Sequence, residues 1–441
     1  MIRTAPFLLL SVLAACGGPD GRADVAAEAG GESLSPDGLA TWVARVPSGQ
    51  PTTRDAEFVA IVWVDYTLLA AAGGSTGLTD STTVTAALLP DLSLLTLRQW
   101  HDSLVARRPR VAAGVVDSLY AGNDVRIFQQ ILIPLKDQQD VRAIAAARAQ
   151  VDSLLAQLRN GADFAQLARA RSQDSTSRAG GFLPVMRRGM PPPQFERAAW
   201  PIKPGAIGVV PSPSGIHVLR RPGLADVRDR LLGYAQSLAT AKADSLHLDS
   251  LTTARHLTVT EKAVPALRAW FEDPASRRTT PDPLVTWDSG KLGLTELAPW
   301  IDLLAPRAYL DLRGASDLTL ERFAKEVGQQ HLLLEEARTD GAGVTPVDRA
   351  ALDGSYLRSL RESLSLLGAS DSTILPKGEG PTRVAALLDG FVADKIRWHP
   401  LPSALAAVLR ERSGYRLHQA GIEAAVKAAR ERVPPKPAAG K

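Results

Sequence analysis

Apolar residues along the chain keep two different rhythms. From 33 to 120 they recur at helical spacing in Ala- and Leu-rich stretches poor in β-formers, which predicts helix throughout. Ser35-Pro36-Asp37 is a helix start signal ahead of Leu39, Trp42 and Val43. Residues 55–72 (DAEFVAIVWVDYTLLAAA) form a second apolar segment, which Gly73-Gly74 stops. Thr79-Asp80 starts another, and 92–107 is a further amphipathic candidate.

From 125 to 221 the character changes. Ile127 to Leu135 is a β-like apolar run, and 139–159 is an Arg/Ala/Leu helix closed by Asn160-Gly161. A short helix over 162–171, a Ser/Gly/Pro-rich stretch to Pro193 and a short helix near Phe195–Trp200 follow. Ile207–Val210 and His217–Leu219 then read as a strand pair around Pro211–Gly215. This β-α-α-α-β-β order defines a small α+β domain. Beyond it, 224–259 predicts a long charged helix or pair, and 284–430 is again helical in composition. The proline-rich tail, 433–441, is expected to be disordered. Stretches 34–80 and 292–345 echo one another as a start signal, an apolar helix, and a helix ending in Leu-Leu, Ala, Gly and a Thr-containing turn. Helical periodicity alone can produce such an echo, so duplication stays open.

Length and composition narrow the class. At roughly 150 residues per domain, 441 residues make about three folding units, or two plus linkers. Hydrophobic residues at 45% and charged residues at 22% exclude a wholly disordered, collagen-like or polytopic membrane protein. A net charge of +4 is too balanced to imply nucleic-acid binding. The single cysteine, Cys16, permits neither an internal disulfide nor a Cys-based metal cage, and the seven histidines lack ligand spacing, so no metal is expected. Arg3, the apolar run Ala5–Val12, and Leu13-Ala14-Ala15-Cys16 form an export signal over 1–16. It resembles a bacterial lipobox, which implies lipidation of Cys16 and a membrane anchor made of acyl chains. With Gly17 rather than aspartate after the cysteine, the resemblance implies outer-membrane attachment facing the periplasm. Residues 17–32 read as a flexible tether, and no later run of about 18 apolar residues could span a bilayer.

Within 125–221 no GxSxG, P-loop or GxGxxG motif occurs. Ser212, Ser214 and His217 are close in sequence, but no orienting acid or oxyanion hole can be assigned to make them a hydrolytic triad. Five stretches supply a different context: ARAQVDSLLAQLRNGADFAQLARARSQD (147–174), GGFLP (180–184), RRGM (187–190), QFERAAW (194–200) and IKPGAIGVVPSPSGIHVLRR (202–221). In order and spacing they resemble the parvulin family of peptidyl-prolyl isomerases. The flanking helical segments and the export signal resemble the SurA/PrsA type of extracytoplasmic folding factor. The implied architecture is α+β: a parvulin-like domain over 122–224 embedded in a mainly α-helical chaperone-like module. That module comprises 33–121 and 225–432, which pack together in SurA-like proteins.

The resemblance implies specific roles. Asp174 falls at the family's central Cys-or-Asp position, and His217 at its C-terminal histidine. Ser212 and Ser214 are the hydroxyls beside it, while Leu183, Met190 or Pro191, and Phe195 line the proline pocket. The first-strand histidine of active parvulins is Gln130 here, and the usual Gly-Gly-Asp-Leu-Gly reads Gly180-Gly181-Phe182-Leu183-Pro184. Both departures are expected next to the site. Arg187 and Arg188 are not placed as a phosphate-binding cluster. The chemistry needs no cofactor, because the X–Pro bond only rotates, over a barrier of ~18–20 kcal/mol. Unfolded or nascent exported polypeptides and their proline-containing segments are the implied partners. Two functions remain: an anchored prolyl isomerase/chaperone, or a holdase whose parvulin domain binds clients without useful turnover.

Overall fold

A computed structural model describes residues 22–46, 49–72, 77–135, 137, 139–272, 282–369 and 378–433. The leader with Cys16 and Gly17, the Gly73-Gly74 stop and the tail beyond 433 lie outside the described residues. The chain divides into two compact units: 1–103 with 248–441, and 104–247.

The first unit opens with a hairpin where a tether was expected. Strands β1 (Ala27–Ala29) and β2 (Glu32–Leu34) turn through Gly30 and Gly31, both at positive φ (58° and 86°). A two-residue turn of this kind matches strand twist and is open chiefly to Gly, Asn or Asp. The strands are three residues long with no β-branched residue, so they carry no alternation to read; distant pairing makes them strands. Helix α1 (Pro36–Val43) starts as the sequence predicts, Ser35 accepting from the Gly38 N–H with Pro36 in the first turn. Helix α2 (Thr53–Ala71) opens with a reciprocal Thr52/Asp55 capping box and is buried nearly all round, as a central helix is. Helix α3 (Ser81–Arg107) runs unbroken through Pro90, joining two segments that sequence separates.

In the second unit come α4 (Ala113–Ala121), β3 (Val125–Arg126), β4 (Gln129–Pro134), α5 (Val141–Arg159), α6 (Phe164–Arg171), a 3₁₀ turn (Ser175–Ala179), β5 (Met186–Arg187), α7 (Pro193–Ala199), β6 (Ile207–Ser212), β7 (Gly215–Arg220) and α8 (Leu224–Ala254). Helices α5 and α6 are capped by the Asp140 and Asp163 carboxylates. The antiparallel sheet runs β4-β7-β6, with β3 and β5 paired separately. Ile131, Ile133 and Val218 pack against Val151, Leu154 and Phe164 of α5 and α6. Phe128, Leu219 and Val210 pack with Leu183, Trp200 and Phe195. A third cluster joins Val116 of α4 and Val227 and Leu231 of α8 to Val125 and Ile127. That cluster makes the compact unit wider than 122–224.

The remaining elements return to the first unit: β8 (Thr258–Val259), α9 (Ala263–Glu272), β9 (Val285–Trp287), β10 (Gly290–Leu292), α10 (Leu294–Asp302), α11 (Pro306–Arg313), α12 (Asp317–Thr339), α13 (Pro346–Leu366), α14 (Gly380–Val392), α15 (Ser403–Ser413), β11 (Tyr415–Leu417) and α16 (Gln419–Arg432). Strand β11 pairs with β1 in the register Ala27–Leu417 and Ala29–Tyr415. Helix α16 lies so close to the segment ahead of β1 that a Cβ at Gly421 would sit 1.9 Å from the Val25 carbonyl oxygen. One apolar core runs from Ala26 to Ala429. Inside it, Asp65 of α2 accepts two hydrogen bonds, 2.7 and 2.8 Å, from Arg410 of α15, both side chains being 1% exposed. Burial alone would pull Arg410 down, but the Asp65 carboxylate holds it above its ordinary value, so the guanidinium stays charged.

Candidate functional site

The sheet register brings the polar groups together. His217 on β7 stands opposite Leu132 on β4 and opposite Val210 on β6. Gln130 and Ser212 are each two residues from those partners, so all three side chains share one face as diagonal neighbours, within reach of long side chains. The Gln130 Oε1 lies 3.0 Å from His217 Nδ1, and Ser212 Oγ lies 2.7 Å from His217 Nε2. The Ser214 N–H donates to the same Ser212 oxygen at 3.1 Å.

Asp174 caps the 3₁₀ turn, its carboxylate accepting from the Thr176 N–H at 2.8 Å and from the Thr176 hydroxyl. Burial pushes this carboxyl up, but the hydrogen bonds from Thr176 and Gln130 and the nearby His217 outweigh it, leaving it below the usual carboxylate range. The direction of the whole row follows. The Gln130 amide donates its N–H to Asp174, so its carbonyl accepts from His217 Nδ1–H. His217 Nε2 is then an acceptor for the Ser212 hydroxyl. Burial lowers the His217 pKa and the Asp174 charge opposes that only partly, so the ring is neutral.

Beside this row lies an apolar cleft of about 900 Å³. Leu183 and Phe195 form its walls, the Phe195 ring meeting His217 edge-on with centroids 5.7 Å apart. Met190 stands at the rim, 73% exposed, and Pro191, Pro192 and Pro193 line the wall next to it. Pro193 opens α7, which sets the position of Phe195 two residues on. Just ahead of Leu183, Gly180 and Gly181 both take positive φ. A Cβ at Gly181 would come within 2.4 Å of the Gln130 carbonyl oxygen, so only glycine lets this loop close on β4 and present Leu183 to the cleft.

Gln130, Ser212, Ser214, His217, Leu183, Met190 and Phe195 all line the cleft, whereas Asp174 stands behind it and reaches it through Gln130. Phe182 bridges to Gln129 next to the site, but its ring faces away. It packs with the α4/α8 cluster under the Arg230 guanidinium, 4.2 Å from the ring centroid, and does not line the cleft. Neighbours in an extended segment point to opposite faces, so placing Leu183 in the cleft turns Phe182 away. Arg188 is paired with Glu196 at 3.6 Å, and Glu196 also accepts from the Gly189 N–H. Sequence reasoning missed Thr176, although an Asp two residues before a Thr is a readable capping pattern, and it missed Met186 and Pro211 of the cleft wall.

Residues 120–221 match the family model described as the PPIC-type PPIASE domain. This fold and site therefore define a parvulin-type prolyl isomerase domain. The chain that carries it is similar to the chaperone SurA of Ralstonia nicotianae, 42% identical over 121 residues, covering 27% of this chain and 23% of that protein. SurA of Nitrosospira multiformis is 32% identical over 163 residues, covering 35% of this chain and 34% of that one. The chain thus spans about a quarter to a third of the length of these two relatives. PrsA from Bacillus anthracis aligns with a TM-score of 0.20 at 24% identity, over 34% of this chain and 63% of that chain.

Proposed function

We propose that this protein is a peptidyl-prolyl isomerase and chaperone for exported polypeptides, working outside the cytoplasm on an anchor at Cys16. Outer-membrane attachment facing the periplasm is part of the proposal. The observation that carries the activity is the hydrogen-bonded row Asp174–Gln130–His217–Ser212 along one side of a cleft walled by Leu183 and Phe195. A prolyl ring in that cleft leaves water, and its amide lies against groups of fixed polarity. Twisting the bond breaks amide resonance, and catalysis requires only that the twisted form be held better than either planar one. Neither a covalent intermediate nor a proton transfer is needed, so a neutral histidine and a glutamine suit the task. No helix among the described residues is long and apolar enough to cross a membrane.

The test is a protease-coupled assay on a proline peptide with the full chain. Acceleration is expected, and Phe195→Ala should lower kcat/KM by about ten- to hundred-fold, the equivalent of losing one buried aromatic contact. Absence of acceleration, with aggregation of an unfolded client still suppressed, would leave the holdase function in its place. Labelled fatty acid should be incorporated by the full precursor and lost in Cys16→Ala.

A further inference from the structure

The unit built from 1–103 and 248–441 has a cleft of its own, about 560 Å³, roughly the size of a site for a drug-sized ligand. Its walls are apolar: Leu94 of α3, Trp300 of α10, Phe323 of α12 and Leu352 of α13. Leu94 is 41% exposed. Two carboxylates line the same cleft, Asp91 on α3 and Glu326 on α12, and no Lys, Arg or His does. Asp91 is half-buried and Glu326 is exposed at the mouth. Burial pushes the Asp91 carboxyl up with no cation nearby to offset it. A half-buried charge left in this state is costly and is relieved by a cation delivered with apolar surface.

We propose that this cleft binds a short apolar peptide segment carrying a lysine or arginine, the side chains filling the Leu94–Trp300–Phe323–Leu352 walls and the cation meeting Asp91 and Glu326. The occupant is a stretch of unfolded client, so the proposal rests on the chaperone function above and specifies its sequence preference. Apolar burial supplies most of the affinity, and the two carboxylates decide between segments of equal hydrophobicity. An acidic neighbour would meet like charge in a partly desolvated site and be rejected.

The experiment uses the full chain and three fluorescent, proline-free peptides of identical Leu/Phe/Trp content, bearing two lysines, two glutamines or two glutamates. The lysine peptide should bind about five-fold tighter than the glutamine peptide, with the glutamate peptide weakest and the spread narrowing as salt rises. The double variant Asp91→Asn/Glu326→Gln should bring the lysine-to-glutamine ratio below about two while leaving prolyl turnover unchanged. Leu94→Arg, a substitution at a half-exposed position, should weaken the lysine peptide and strengthen the glutamate one. Equal affinities for the three peptides, or a ratio that survives the double variant, would overturn the proposal. Suppression of client aggregation, measured alongside, decides the broader function separately: a chaperone without charge preference loses only this inference.

Discussion

His217 is kept neutral by its burial, and its protonation is the site's main sensitivity to acid. Asp174 favours the imidazolium, but the loss of water outweighs it. Turnover should therefore be flat from pH 8 down to about 6.5 and fall only below that, when a protonated ring can no longer accept from Ser212. The stability consequence has a fixed sign. The unfolded chain takes up this proton first, so stability falls as pH drops through about 6.5, and the loss is complete below the folded value. Asp174 acts in a second, more acidic window. Its folded pKa is depressed, so its contribution is present above about 3.9 and disappears as pH falls through the folded value. Urea denaturation at steps from pH 8 to pH 3 should show both slopes, and NMR titration of the His217 ring locates the first. Gln130→Leu leaves a buried N–H unpaired and should cost about 1–3 kcal/mol, whereas Gln130→His should restore pairing but add a pH inflection near neutrality to turnover. Asp174, His217 and Ser212 are legible because each sits inside a stretch that resembles the family, whereas Gln130 rests on the family's first-strand position alone. Thr176 lies between those stretches, and the facing of Phe182 depends on which residue after the Gly-Gly pair enters the cleft, a fact that only the backbone path decides.

Helices were readable along this chain and short strands were not. Ser35, Asp140 and Asp163 each accept the hydrogen bonds that a helix start requires, and those signals are local. Strands β1, β2, β9 and β10 are three residues each, below the length at which alternation says anything, and they exist because partners lie beside them. Each of these hairpins is followed within two residues by a helix, α1 or α10, so what the two stretches share is hairpin plus helix. The loop ahead of β5 makes the strongest prediction at this scale. Gly181→Ala must place a Cβ against the Gln130 carbonyl at a φ of 76°, at a cost of about 1–3 kcal/mol of backbone strain. Its effect should appear in turnover as well as in melting, because the same loop carries Leu183 and because the Gly181 carbonyl accepts from the Gln130 N–H at 2.8 Å. Gly189→Ala is the control: its added Cβ meets nothing within 4 Å, and its positive φ alone should cost less.

Across the whole molecule, the helical unit is assembled from both ends of the chain, and its stability depends on groups more than three hundred residues apart. Asp65 and Arg410 are separated by 345 positions, fully buried and joined by two hydrogen bonds. Nothing in either local sequence announces the pair, since an aspartate in an apolar helix and an arginine near a helix end are each ordinary alone. Removing one partner strands a charge in the core, whereas replacing both with apolar side chains can be close to neutral. Asp65→Ala should therefore destabilise the unit by about 3–5 kcal/mol, and Asp65→Leu combined with Arg410→Met should recover most of that loss. Residues 104–247 have their own core and contain the whole cleft beside His217, so the same single variant should leave turnover on a proline peptide at its original value. Calorimetry distinguishes the outcomes directly. Two transitions are expected, with Asp65→Ala lowering one and sparing the other; a single transition shifted as a whole, with turnover falling in step, would mean that the two units fold as one.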